Sequence, residues 1–444
     1  MYRNLIENFM KQALACLLIF LSSGLSPAAH PLQPGASRDL AFIHVNVIDA
    51  TGAALQTEMT VVIRKGRIVT LGKTRRIKFE GNTRIVDATG KFLIPGMWDM
   101  HAHLGTDTFD KLGHLPLFLA NGVTGIRIMD GEPSHHEWRK EIEAGKLNGP
   151  RMMIASPIIG QGPISASAAR EIVREAKLAG ADFVKVHDGL SRDVYLAVLD
   201  EARKVNLPVE GHVPQPLTAA EVSALGQKSI EHFTGLDEAK ADEQKATALA
   251  AILKHNHTWL CPTLIMRQSY ALLDDAKLAN DPRLKYVKPS WARRWVRMTV
   301  DAEKTLKEEW AGRRALVQKE KALVGLMHRQ GVEILAGTDD SNPFCAPGFS
   351  LHDELVLLVE AGLSPLQALQ SATSNPARFF NRSRDLGTIE KGKLADLVLL
   401  DANPLSDIRN TQKINSVVLN GRLLDRQMLD KMLSEIAASA RAGA

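Results

Sequence analysis

Between residues 40 and 92, apolar and polar positions alternate with a period of two. That is the period of a strand with one buried face. Segments 42–48, 60–63, 67–71 and 84–87 are the predicted strands, and Lys65-Gly66 is a tight-turn signal between two of them. No helical pattern interrupts this stretch. Residues 39–92 therefore predict one half of a small β-sandwich.

From residue 93 the rhythm changes. Apolar runs at 122–129, 151–155, 182–187, 207–212, 229–232, 258–261 and 332–337 read as strands. Amphipathic segments at 166–179, 192–205, 217–226 and 238–255 read as helices between them. With the stretch 95–104 placed first, eight strands result. Strands alternating with helices over this length predict an α/β fold, a (β/α)8 TIM barrel spanning 93–385. An insertion at 264–330 separates strands seven and eight. It carries Trp291, Trp295 and Trp310, and 301–330 predicts one long helix. It leaves from the end of a barrel that bears active sites, so it either roofs the site or decorates the fold away from it. The period of two returns at 386–425, where Asn420-Gly421 is a type I′ turn signal. This segment is expected to complete the sandwich. Residues 426–444 form a helical or frayed tail.

Composition changes this picture little. The 444 residues are 45% hydrophobic and 24% charged, the proportions of a globular protein. A net charge of +5 spread over this length, with no basic run interleaved with aromatics, argues against a nucleic-acid partner. Residues 12–25 form an apolar run after Lys11, followed by small residues at Ala28 and Ala29. That shape predicts a signal peptide over 1–29 and a periplasmic or secreted protein, with an uncleaved anchor as the alternative. No other segment is apolar enough to cross a membrane, so no stable insertion is expected after leader removal. Cys16 falls in the leader. Cys261 and Cys345 could pair in an oxidising compartment, but two cysteines make no disulfide scaffold, and buried free thiols are the expectation.

The chemistry concentrates at strand ends. His101 and His103 are two apart on the first barrel strand, so both face one side. Two adjacent imidazoles suit a transition metal, though such a pair can also be two polar strand residues. Lys185 lies inside Phe183-Val184-Lys185-Val186-His187, a poor place for a bare ammonium. His212, His232 and Asp339 end three further strands. Together these six fall at the C-terminal ends of strands one, four, five, six and eight, the face that carries barrel active sites.

The chain resembles the amidohydrolase superfamily, in its imidazolonepropionase-like and Xaa-Pro-dipeptidase-like branch. The matching motifs run from Leu93-Ile94-Pro95-Gly96-Met97-Trp98-Asp99-Met100-His101-Ala102-His103 to Gly392-Lys393-Leu394-Ala395-Asp396. Gly211-His212-Val213, Glu231-His232-Phe233 and Ala336-Gly337-Thr338-Asp339 fall between them in family order. The resemblance covers nearly the whole chain after the leader, except the insertion. It implies two divalent transition metals, expected to be zinc. His101, His103 and Asp339 would hold the more buried ion, and His212 and His232 the second. Lys185 would carry a CO2-derived carbamate bridging both. The resemblance further implies hydroxide attack between the metals on a scissile carbonyl, with Asp339 as general acid and base.

Deaminases of adenosine and cytosine type carry Glu three residues after the strand-five His; here Gln215 stands there, which disfavours aryl-amine deamination. Imidazolonepropionase itself works with one metal and no carbamate, so Lys185 argues against that activity. His187 is expected either to touch a substrate carboxylate or carbonyl, or to hydrogen-bond behind the ligands. Arg127 is expected either to bind a substrate anion or to form a structural ion pair. His352 is expected to be structural or to hydrogen-bond behind the ligands, and His135, His136, His255 and His257 to lie on the surface. The expectation is a metal-dependent hydrolase of an amide or peptide bond, with a dipeptide or N-acyl amino acid as small-molecule substrate and a possible homo-oligomer. A lactone or phosphotriester substrate is the alternative. A non-catalytic binding barrel would show lost ligands, and none of the six is missing.

Overall fold

The structure is a computed structural model that describes residues 38–79 and 81–443. The expected signal peptide at 1–29 lies outside the described residues. The first five strands are β1 Leu40–Val47, β2 Gln56–Arg64, β3 Arg67–Lys73, β4 Arg84–Asp87 and β5 Phe92–Pro95. Seven parallel strands follow: β6 Met97–Ala102, β7 Val123–Ile128, β8 Arg151–Ile154, β9 Val184–Val186, β10 Val209–Gly211, β11 Ser229–Glu231 and β12 Trp259–Cys261. The last three are β13 Leu397–Leu400, β14 Ile414–Leu419 and β15 Arg422–Leu424.

The two terminal β regions join in one mixed eight-stranded sheet, ordered β15-β14-β13-β5-β1-β2-β3 with β4 beside β1. This corrects the expected sandwich of two facing sheets. The seam is the antiparallel pair β5–β13, where Leu93 faces Leu399. Edge strand β3 leaves unpaired N–H and C=O groups, and the segment preceding β13 meets them. Ile68 N donates to Lys393 O at 2.9 Å, and Gly392 N to Ile68 O at 2.7 Å, just before β13. The sheet thereby curls around a core of Phe42, Val61, Ile68, Leu93, Leu397 and Val418. Both expected turns have left-handed pairs, with φ of 48° and 75° at Lys65-Gly66 and 52° and 75° at Asn420-Gly421. These are the conformations a type I′ turn needs.

The parallel strands form two sheets, β6-β7-β8 and β9-β10-β11-β12. Ser156 N donates to Phe183 O at 2.8 Å between them on one side. On the other side, segment 332–337 lies between β12 and β6. Leu335 N donates to Leu260 O at 2.9 Å, Met100 N to Ala336 O at 2.9 Å, and Asp339 N to His101 O at 2.7 Å. The expected eighth strand is thus present only as one isolated bridge, at Ile334, and no continuous eight-stranded ladder forms among the described residues. Its backbone groups are partly diverted: Ala336 N donates to Ser371 O, and Ile334 O accepts from Asn375 Nδ2.

The insertion folds as helices Leu264–Ala271, Pro289–Ala302 and Lys307–Gln330 around Leu273, Val287, Trp295, Trp310 and Phe344. The single long helix expected from 301 instead starts at Lys307, after an extended Leu306 (φ −62°, ψ 142°). The insertion packs on loops that leave the parallel strands. Trp291 stacks on His114 at 4.6 Å, and Lys288 pairs with Asp107 and with Asp110. The tail is a helix, Arg426–Ala442, capped by Asp425. Cys261 and Cys345 are free and buried. Among the described residues, no helix is long and apolar enough to cross a membrane.

Candidate metal centre

His101 ends the fully buried strand β6 and has no solvent exposure. Its Nδ1 sits 2.8 Å from Glu231 Oε2, which fixes the ring and turns Nε2 toward Asp339. Asp339 Oδ1 lies 3.5 Å from His101 Nε2 and 3.2 Å from His103 Nε2, and Oδ2 lies 3.7 Å from His232 Nε2. His101, His103 and Asp339 can each offer one ligand atom within 4.8 Å of the others. The His232 ring lies 4.5 Å from that of His101 and 5.0 Å from that of His212. His232 Nδ1 is held by Thr263 Oγ1 at 2.6 Å, which leaves Nε2 facing Asp339.

The backbone leaves the β region at two candidate ligands, His232 and Asp339, and at residues close to them. His232 has φ 58°, Thr263 47°, Asp339 54°, Ser341 75° and Phe344 60°. Left-handed non-glycine residues are costly and concentrate at functional sites. Here they swing side chains into a shared space at the strand ends.

Burial holds the imidazoles neutral. His232 is lowered to about 4, chiefly by desolvation, and His101 and His212 fall in the same direction for the same cause. Neutral imidazoles keep a lone pair for a cation. Asp339 remains ionised: burial works against its charge, but His232, His101 and His103 pull its carboxyl well below the usual range. Lys185 is buried and lowered to about 8 by desolvation, with no ion-pair partner for its Nζ among the described residues. His101 Nε2 and His212 Nδ1 are buried atoms with no hydrogen-bond partner. Buried polar atoms are rarely left this way. Neutral imidazoles, one ionised carboxylate and two orphaned ring nitrogens in one place fit a metal centre.

The sequence profile of the amidohydrolase family matches residues 92–424. The chain belongs to the amidohydrolase family. Among curated relatives, adenine deaminase from Clostridium botulinum is 23% identical over 91% of this chain. The chain spans only 59% of that relative's length. Ochratoxinase from Aspergillus niger is 27% identical over 73% of both chains. The solved structure of a bottromycin amidohydrolase superposes with a TM-score of 0.74, at 25% identity over 92% of each chain.

Around this amidohydrolase centre the structure sorts the remaining candidates. Arg127 takes the second of its two expected roles, a structural ion pair. It is fully buried, and its fork is spent on Met100 O (2.5 Å), Glu210 (2.7 Å), Ser229 (3.1 Å) and both oxygens of Glu231 (2.9 and 2.8 Å). No donor is left for a ligand. His187 is part-exposed beside His212, with ring centres 4.3 Å apart and Nδ1 2.6 Å from Asp188 Oδ1. His352 is structural, between Thr411 Oγ1 (2.9 Å) and Asn121 O (3.1 Å). His135 is buried rather than on the surface, because its ring bonds Gly105 O at 3.1 Å and closes a capping box with Glu132. His255 and His257 are exposed.

Sequence reasoning missed the supports of the centre. Glu231 was quoted only as a neighbour of His232, and Thr263 carries no motif. Asp99 accepts from His101 N (3.1 Å), Thr338 N (3.0 Å) and Thr338 Oγ1 (2.7 Å), so it ties the first strand to the Asp339 segment. Asp340 accepts from His103 N at 2.5 Å. Asp99 lies in a stretch already picked out and Asp340 directly follows one, and a carboxylate close to each candidate ligand was the available signal.

Proposed function

We propose that this amidohydrolase binds two divalent transition metals, with zinc as the expected ion, and hydrolyses an amide or peptide bond in a dipeptide or N-acyl amino acid. His101, His103 and Asp339 would hold one ion, and His212 and His232 the other. Lys185, as a carbamate, would bridge them. Burial lowers Lys185 to about 8, which eases loss of its proton; the free amine is the form that adds CO2, and two cations would stabilise the resulting anion. The observation that carries this reading is the convergence of Asp339 with His101, His103 and His232, beside buried, unpartnered His101 Nε2 and His212 Nδ1.

When bound, the ions supply Lewis acidity toward a carbonyl and lower the pKa of a water. The chain does the rest. Asp339, ionised and at the centre of the imidazoles, takes the proton of the attacking water and hands it to the leaving amine. His187, steadied through Nδ1 by Asp188, offers its other nitrogen to the substrate carbonyl. Glu231 and Thr263 hold two imidazoles in register. The joins at Ser156–Phe183 and Met100–Ala336 support reading the two parallel sheets as one (β/α)8 barrel. The signal-peptide shape of 1–29 makes a periplasmic or secreted location part of the proposal.

The adenine deaminase relatives favour a second reading, hydrolytic loss of an amine from an aromatic ring. Against it, Gln215 is exposed, with its backbone N bonded to Asp188 O at 2.9 Å. A screen of the metal-loaded enzyme tests both. Turnover of dipeptides or N-acyl amino acids supports amide hydrolysis. Turnover only of adenine, a lactone or a phosphotriester overturns it.

A further inference from the structure

The insertion and the Asp339 loop meet at the rim of the centre. Tyr270 Oη donates to Asn342 Oδ1 at 3.0 Å, and Asn342 Nδ2 donates to Asp339 O at 2.9 Å. Burial and the nearby Asp339 carboxylate raise the Tyr270 phenol. From helix Pro289–Ala302, Arg294 donates through one terminal nitrogen to Ser341 O at 2.9 Å. Ser341 is two residues past Asp339 and is itself left-handed, with φ 75°. The same helix is fixed from below by Trp291 on His114 and Trp295 on Phe344 (5.7 Å).

Several cations of the insertion are paired with carboxylates. Lys288 meets Asp107 and Asp110, Arg283 meets Asp281 and Asp353, and Arg267 meets Glu320. Arg293, Arg294 and Arg297 of helix Pro289–Ala302 are all exposed and without a carboxylate ion pair among the described residues, and of the three it is Arg294 that reaches the Asp339 loop, through Ser341 O. A guanidinium held to one backbone oxygen keeps most of its planar fork for a carboxylate, the geometry that arginine binds in bidentate fashion.

Position then selects which part of a substrate it meets. Asp339 is the proton donor to the leaving amine, so the amine half of the substrate lies on the Asp339 side. Arg294, from helix Pro289–Ala302, meets the same loop two residues beyond Asp339, while His187 follows β9, four strand positions from segment 332–337. We propose that Arg294 anchors a free carboxylate on the amine half of the substrate, so that the amine product is an amino acid. This rests on the amide-hydrolase reading above. Tyr270 and Asn342 are positioning residues that hold the loop to the insertion.

The test uses the full, metal-loaded chain with N-acetyl-L-phenylalanine and its carboxamide. The wild type should prefer the carboxylate by at least about tenfold in kcat/KM. R294Q should erase that preference, mainly through a KM for the carboxylate raised about 10- to 100-fold, and R294K should restore part of it. Metal content and thermal midpoint are measured on each variant. A preference that survives R294Q, or a loss shared equally by both compounds, overturns the proposal. Binding is read separately by tryptophan fluorescence, since Trp291 and Trp295 share the helix with Arg294. If neither compound is hydrolysed, the amide reading fails. Carboxylate binding weakened at least about tenfold by R294Q would still support the anchor, whereas absent or unchanged binding would sink it.

Discussion

Glu231 joins Arg127 to His101: its carboxylate takes both hydrogen bonds from one Arg127 terminal nitrogen and lies 2.8 Å from His101 Nδ1. One carboxylate thus spans the floor of the parallel strands and a candidate ligand of the centre. All three side chains are fully buried. Burying charge is costly unless each charge is paired, and here the pairing also sets which nitrogen of His101 faces Asp339.

Removing Arg127 should therefore act on folding first. In R127M, Glu210 and Glu231 remain buried without their cation, and the loss expected for a broken buried pair is about 3–5 kcal/mol. Chemical unfolding of the purified variant measures it. Adding E210Q to R127M removes one of the stranded charges and should restore part of the loss. Wild-type stability in R127M, with only a raised KM, would return Arg127 to a substrate role.

The same network shows what the chain disclosed in advance. His101 and His103 could be paired because a strand repeats every two residues; His101 lies in β6, His103 just past its end, and both Nε2 atoms face Asp339 Oδ1. At His232 and Asp339 that repeat does not hold. Both are left-handed, so the backbone turns there and the side chain direction no longer follows from the strand's phase. Glu231 and His232 both serve the centre although they are consecutive. Strict alternation would have sent one of them away. The curled terminal sheet was hidden for a related reason. Periodicity reports which face of a strand is buried and not which strand lies beside it, so the β5–β13 seam had no signature in either segment.

Glu354 gives a pH dependence with a fixed sign. It is fully buried on helix Phe349–Glu360, Oε2 accepts from Ile265 N at 2.7 Å, and Oε1 has no partner. Burial pushes its pKa from 4.5 up to about 8. The folded chain thus keeps a proton that the unfolded chain has released. This group's contribution is fully present below about pH 4.5 and is lost as pH rises toward about 8. Relative to E354Q, which cannot titrate, the wild type should lose about 1.4 kcal/mol per pH unit across that window. Urea unfolding of both proteins at pH 5.5, 6.5 and 7.5 reads the difference. A difference that stays flat, or grows in favour of the wild type, would mean that Glu354 ionises freely in the folded state.

Lys185 carries the last prediction. Its side chain is buried in the middle of β9, and its charge acts on His101, His212 and His232. As an ammonium it would oppose any cation those imidazoles bind. As a carbamate it would join two of them. The purified wild type should therefore hold about two divalent ions per chain, and K185A about one, with activity reduced on the order of 100-fold. Because alanine leaves space where the carbamate stood, a small carboxylate such as acetate or propionate should return part of both metal content and activity. Metal analysis after dialysis, with and without the added acid, separates this from simple damage to the fold, which no carboxylate would repair. A K185A variant that keeps both ions and full activity would remove the carbamate from the proposal and leave a centre built from the four imidazoles and Asp339 alone.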